Sequence, residues 1–125
     1  MKVEISREAF DGLVAEAIDE IPEPFASLLS NVQVVVEDEP GPEHLDSLEG
    51  DVTELFGLYQ GVPQTERDQN YPFVLPDKIS IFRGPLQRAC EGEDDLYEEI
   101  AVTIVHEVAH HFGISDERLT ELGWD

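Results

Sequence analysis

Two histidines four residues apart, with a glutamate directly after the first, are the residues best suited to chemistry in this sequence. They lie in the run His106-Glu107-Val108-Ala109-His110. On an α-helix the two histidines would be about 40° apart on one face, so both imidazoles could reach one metal ion. Glu107 would point to the side of that face, where it could hold and deprotonate a metal-bound water. The spacing therefore predicts a zinc site for hydrolysis, with His106 and His110 as ligands and Glu107 as general base.

The helix that must carry this motif is predicted from Asp94 to Phe112, and Gly113 is typical of the residue that ends a helix. Its residues are apolar on nearly every side, which predicts a buried central position. One narrow polar stripe interrupts the apolar surface, and it contains Glu99, Thr103, His106 and His110. An unpaired buried histidine costs about one to several kcal/mol, so two on one face favour a shared metal. Hydrogen-bonded core histidines are the alternative, but they leave the glutamate unexplained.

The elements around this helix indicate an α+β fold. Ser6 and the apolar spacing after it predict an amphipathic helix over residues 6–20, and β-branched residues predict a strand over 32–37. Further strands are predicted over 55–59 and 78–82, loops over 38–51 and 64–71, a possible helical turn over 25–29, and a short last helix over 115–122. We therefore expect a small sheet of three to four strands packed on the N-terminal helix and the buried active-site helix.

The strand from Lys78 to Phe82 alternates in polarity and is flanked by Pro76 and by Gly84-Pro85. This pattern favours an edge position, where an extended peptide or protein substrate could add a strand to the sheet. The alternative is an ordinary core strand.

Composition limits the partners. At 125 residues we expect one domain over residues 1–125, and the net charge of −22 argues against nucleic acid as a partner. The acidity serves solubility or attracts cationic partners and divalent metals. With no apolar leader or long apolar run, we expect a cytoplasmic protein without membrane contact. Cys90 is the only cysteine, so a zinc ion would need nitrogen and oxygen ligands.

The motif extends to the pattern H-E-x-x-H-x-x-G-x-x-D, because Gly113 and Asp116 follow His110 at fixed distances. This pattern resembles the zincin superfamily, and the order of elements looks like the small bacterial zincin-like metallopeptidases, the mini-zincins. The resemblance implies that Gly113 turns the chain and that Asp116 is the third zinc ligand. It implies a zinc-dependent metallopeptidase. Asp116 could instead cap the last helix with Ser115, a role that both residue types favour.

The sequence departs from larger zincins in two ways. Met1 is the only methionine, so a methionine turn beneath the metal is not expected, and a short segment after His110 implies a shallow cleft. No oxyanion donor stands out, and the candidates are Tyr59, Tyr71, Tyr97, Arg83 and His111. If the chain turns differently after Gly113, Glu117 or Glu121 would supply the carboxylate ligand in place of Asp116.

Two other functions fit parts of the pattern. In the first, a bound metal only stabilises a catalytically weak or inactive acidic module that binds a partner. Such a structural site requires a fourth protein ligand, from His44, His111 or Glu99.

In the second, the motif resembles H-G-x-x-H-x-x-G-x-x-H of bacterial ribosomal-RNA maturation endonucleases. Glu107, Asp116 and the negative charge argue against that metal-dependent RNA endonuclease.

Overall fold

The computed structural model describes residues 4–41, 55–61 and 77–124 of the chain. These residues form an α+β fold with five helices and one three-stranded sheet. In chain order the elements are α1 (Arg7–Glu20), α2 (Phe25–Leu28), β1 (Val32–Glu37), β2 (Gly57–Gln60), β3 (Asp77–Phe82), α3 (Arg83–Ala89), α4 (Glu93–His111) and α5 (Asp116–Glu121). The predicted fold class is therefore confirmed.

The N-terminal helix begins where the sequence predicts. The Ser6 side chain accepts a hydrogen bond from the Ala9 N–H and so caps α1. Phe10, Val14 and Ala17 form its buried face. That face packs against α4, so α1 helps to exclude water from the helix that carries the histidines.

The strand predicted at the edge of the sheet lies in its centre, so that prediction is wrong. The strand order is β1-β3-β2, with β1 parallel and β2 antiparallel to β3. The four residues from Ile79 to Phe82 are fully buried, so both faces of the strand are covered. A peptide therefore cannot add to the segment from Lys78 to Phe82, because both of its sides already have neighbours.

The helix with the histidines is the central element, as the sequence predicts. Seven residues of α4 are buried, and the helix packs on α1, β2 and β3. They are Leu96, Ile100, Thr103, Ile104, Val105, Val108 and Ala109. Because this apolar surface is buried on several sides, α4 holds its polar stripe in a fixed orientation relative to the sheet.

Elsewhere the structure shifts one predicted element, adds another and leaves two predicted loops mostly or wholly outside the described residues. The second strand begins at Gly57, two residues later than predicted. The sequence analysis predicts no helix after the third strand, where Gly84-Pro85 is interpreted only as a flank of that strand. The structure has α3 there, and proline is tolerated in a first helical turn. Most of the predicted loop over 38–51, including His44, and the whole loop over 64–71 lie outside the described residues.

Among the described helices, none has the length and apolar character needed to cross a membrane.

Gly57 allows β2 to approach α4 closely. A Cβ atom there would lie 2.6 Å from Thr103 Cγ2 and 3.1 Å from the Ser80 carbonyl oxygen. We expect Gly57→Ala to lower the free energy of unfolding by about 1–3 kcal/mol, because strand or helix must shift. Urea unfolding measures this change.

The matched control is Gly12→Ala, which lies in the exposed middle of α1 with no atom within 4 Å of the new Cβ. It should raise the free energy of unfolding by up to about 1 kcal/mol, because alanine favours the helix more than glycine does. An equal effect of the two substitutions would contradict the close packing at Gly57.

Candidate metal centre

The chain reverses direction directly after the two histidines. Gly113 adopts a left-handed conformation, with φ of 82°. Its N–H donates to the His110 carbonyl at 3.1 Å, and the Ile114 N–H donates to the Ala109 carbonyl at 2.8 Å. This pair of bonds is the Schellman motif, which satisfies the last carbonyls of α4. The turn brings the following residues back toward the histidine face.

Asp116 reaches His110 because of this reversal. The cap of α5 is Ser115, whose side chain accepts from the Arg118 N–H at 3.1 Å. Asp116 is the first residue of the helix, and its Oδ1 lies 2.6 Å from His110 Nε2. The carboxylate is thus directed at the histidine, while Ser115 performs the capping that was the alternative role for Asp116.

Three side chains come together as a possible metal site. His106, His110 and Asp116 each offer one ligand atom, and these atoms lie within 4.8 Å of one another. The two imidazole rings are 5.7 Å apart between centroids and inclined by 75°. Two nitrogens and a carboxylate oxygen suit zinc, whose tetrahedral ligands lie about 3.3 Å apart. The residues therefore fit zinc if the 2.6 Å distance between His110 Nε2 and Asp116 Oδ1 widens slightly.

Glu107 lies between this cluster and the sheet. Its Oε1 accepts a hydrogen bond from the Tyr59 N–H at 2.9 Å. The Phe82 N–H donates to the Phe56 carbonyl, so the hydrogen-bonding groups of Phe56 face β3. Along an antiparallel strand these groups alternate in direction, so the N–H of Tyr59, three residues later, points away from β3. Burial raises the pKa of Glu107, while the Tyr59 hydrogen bond and the nearby histidines oppose that rise. The general-base candidate is thus held at the outer side of β2.

The oxyanion candidates are divided between different parts of the molecule. The rings of Tyr59 and His111 stack at 3.9 Å, and the Tyr59 hydroxyl donates to Asp77 Oδ2 at 2.6 Å. Tyr59 and His111 are thus linked to Glu107 through the Tyr59 main chain. Tyr97 instead binds Glu20 beside α1. Arg83 binds Asp38 and the Ile5 carbonyl, and Tyr71 lies outside the described residues.

The main-chain carbonyl of Trp124 is a member of the site that sequence reasoning missed. This oxygen contacts His106 Nε2. Any residue type carries a carbonyl, so no side-chain pattern could identify it. The only available signal is Gly123, whose φ of 86° makes a second left-handed turn after α5.

The comparisons with known proteins agree with this geometry. The family model of zincin-like metallopeptidases matches residues 29–124, which is more than half of the chain. The chain belongs to the zincin-like metallopeptidase family. The resemblance stated from the sequence is confirmed at this level, and the family is associated with zinc and peptide hydrolysis. The matched range includes β1, β2, β3 and the cluster of His106, His110 and Asp116.

A solved structure also resembles this zincin-like chain. It is a conserved hypothetical protein from Thermus thermophilus, with 27% sequence identity and a TM-score of 0.52. The similarity covers 96% of this chain and 100% of that one. A search of curated proteins finds no match. The comparisons therefore show the family of this chain.

The raised pKa of Glu107 predicts a pH-dependent stability of the metal-free protein. Ionising a group whose folded pKa lies above its unfolded value costs stability as the pH rises through the folded pKa. Glu107→Gln removes that cost and keeps an acceptor for the Tyr59 N–H. We expect the variant to be more stable than wild type near pH 7, with the difference vanishing at acid pH, as measured by urea unfolding with a chelator present.

The control is Glu98→Gln, which removes one charge from an exposed position on the same helix. It corrects for the general relief of repulsion in a protein of net charge −22. A Glu107→Gln effect equal to that of Glu98→Gln at every pH would contradict the burial argument.

Proposed function

We propose that this protein is a zinc-dependent peptidase in which Glu107 is the general base. The observation that carries the proposal is the position of Glu107. Its carboxylate is hydrogen-bonded to the Tyr59 N–H, and it directly follows His106 in the three-ligand cluster. A base beside a metal site suits metal-assisted hydrolysis, and the outer side of a strand can bind an extended peptide.

The proposed ligands are His106, His110 and Asp116. Zinc bound by them would supply Lewis acidity, which lowers the pKa of a water and polarises a carbonyl group. The side chain of His110 is 47% exposed and that of Asp116 is 79% exposed, so a metal ion can reach the site from solvent. Aspartate donates more charge than a third histidine would, which makes the site a milder Lewis acid.

Glu107 carries the proton in this proposal. Its carboxylate accepts a proton from the attacking water and later donates it to the leaving amine nitrogen. Partial burial supports this role, because a carboxylate with a raised pKa is a stronger base near neutral pH. The hydrogen bond from Tyr59 fixes one carboxylate oxygen and leaves the second for the water.

The proposed substrate path follows β2 instead of β3. An extended peptide along the side of β2 that faces away from β3 would pass Glu107 and the stacked Tyr59 and His111 rings. The Tyr59 N–H donates to Glu107, so an added strand would pair with other main-chain groups on that side of β2, with little dependence on the peptide sequence. The acidic chain would favour cationic peptides through long-range attraction.

One observation favours the second candidate function, in which a structural metal ion stabilises a module that binds a partner. The Trp124 carbonyl at His106 could supply a fourth protein ligand, which closed structural zinc sites have. Peptide hydrolysis that depends on Glu107 would distinguish the peptidase from the partner-binding module, because a structural metal site needs its ligands but no general base.

The peptidase proposal predicts different losses at Glu107 and His110. Glu107→Gln should retain about one zinc per chain and lose about 10²- to 10⁴-fold in the rate of peptide hydrolysis, since only the base is removed. His110→Ala should lose both the zinc and the activity. Elemental analysis measures the metal, and a fluorogenic peptide library measures hydrolysis.

His111→Ala is the matched control, because this histidine adjoins His110 but stacks on Tyr59. It should keep its zinc. Loss of zinc from His111→Ala and its retention by His110→Ala would overturn the ligand assignment. Peptide hydrolysis of equal rate in wild type and Glu107→Gln would overturn the role of Glu107.

A further inference from the structure

The last turn of the described chain returns to the proposed metal site. The Gly123 N–H donates to the Thr120 carbonyl at 3.0 Å, and the Trp124 N–H donates to the Leu119 carbonyl at 2.8 Å. These bonds form a second Schellman motif, at the end of α5. The first such turn brings the Asp116 carboxylate to His110, and the second brings the Trp124 carbonyl to His106.

The contact between Trp124 and His106 has a specific consequence for metal binding. A carbonyl oxygen offers only lone pairs, and the imidazole nitrogen of a metal ligand also offers a lone pair to the metal. In the metal-free protein a proton on Nε2 joins the two atoms in a hydrogen bond. Zinc would displace that proton, and the two lone pairs would then repel each other unless both faced the metal. The carbonyl therefore either shares the metal with His106 or moves away when metal binds.

We propose that the Trp124 carbonyl is a fourth protein ligand that closes the metal site in the resting protein. Together with His106, His110 and Asp116 it completes the four nitrogen and oxygen donors of a tetrahedral zinc site. Water or a substrate then enters the site only when the turn from Leu122 to Trp124 withdraws. This inference rests on the metal site of the proposed function and adds a control over access to it.

A neutral carbonyl is the ligand most easily exchanged in such a set. Carbonyl oxygens suit hard cations such as calcium and magnesium, whereas imidazole suits zinc. The carbonyl is positioned by a short turn that has a glycine at φ of 86° and by the packing of the Trp124 ring on Phe25. The Trp124 carbonyl can therefore leave while the three side-chain ligands remain.

The surroundings of Trp124 both hold the turn and give it room to move. The indole meets Phe25 edge to face, with 6.0 Å between ring centroids. Gly123 and Trp124 also line an open cleft of about 600 Å³, between α1 and α4. The turn is thus bounded by a buried ring on one side and by open space on another.

Trp124 is the only tryptophan in the sequence, so its fluorescence reports directly on this turn. The experiment adds acetohydroxamate, a small metal-binding molecule, to the zinc-loaded and cobalt-loaded protein. Cobalt absorption measures acetohydroxamate affinity, and tryptophan emission follows the turn. We expect emission to change at the same acetohydroxamate concentrations that change the cobalt spectrum, because the added ligand displaces the carbonyl.

Variants of the turn test the same competition without enzymatic activity. Ending the chain at Leu122 should tighten acetohydroxamate binding about tenfold or more, because no carbonyl has to be displaced. Gly123→Ala, which strains the left-handed turn, should tighten it about fivefold and serves if the shortened chain does not fold. The control Trp124→Phe keeps the carbonyl and the aromatic contact, so its acetohydroxamate affinity should equal that of wild type.

The outcomes separate this inference from the proposed function. If wild type binds zinc but emission is silent and neither turn variant alters acetohydroxamate affinity, the Trp124 contact is only a hydrogen bond and the inference is wrong. If wild type binds no zinc at the three side chains, the proposed function fails and the inference fails with it. A matched change in emission and affinity supports both.

Discussion

The left-handed turn at Gly113 is the constraint on which the rest of the site depends. A helix with histidines at i and i+4 offers two ligands on one face, and a third ligand requires that the chain return to that face. Gly113 makes the return possible, because its φ of 82° is disfavoured for other residues. The bonds from Gly113 and Ile114 to the end of α4 then hold the reversal, and Ser115 begins the helix that presents Asp116.

The proposed base depends on a second constraint, the close packing of β2 on α4. Gly57 lets the strand approach Thr103, and two residues later the Tyr59 N–H meets Glu107. Burial of the carboxylate disfavours its charge, which costs stability and favours proton transfer. The net charge of −22 adds self-repulsion, and a divalent cation bound among acidic groups would reduce it. Metal binding and stability are therefore expected to be coupled.

Much of this arrangement is predictable from the sequence, because it depends on local patterns. Helical spacing identifies α1 and α4, and the motif places His106, Glu107 and His110 on one helix. The failures involve contacts between distant segments. The edge prediction for Lys78 to Phe82 failed because alternation does not specify which strands pair, and the pairing of β3 with both neighbours is non-local. The Trp124 carbonyl was missed because main-chain atoms leave no signature in residue types.

The most direct measurement is a crystal structure of the zinc-loaded protein with anomalous data collected at the zinc absorption edge. The ligand assignment predicts one anomalous peak about 2.0–2.2 Å from His106 Nε2, His110 Nε2 and an Asp116 oxygen, with Glu107 outside bonding distance. A peak at another group of residues, or zinc held directly by the Glu107 carboxylate, would contradict the central claim that Glu107 acts as a base beside a three-residue metal site.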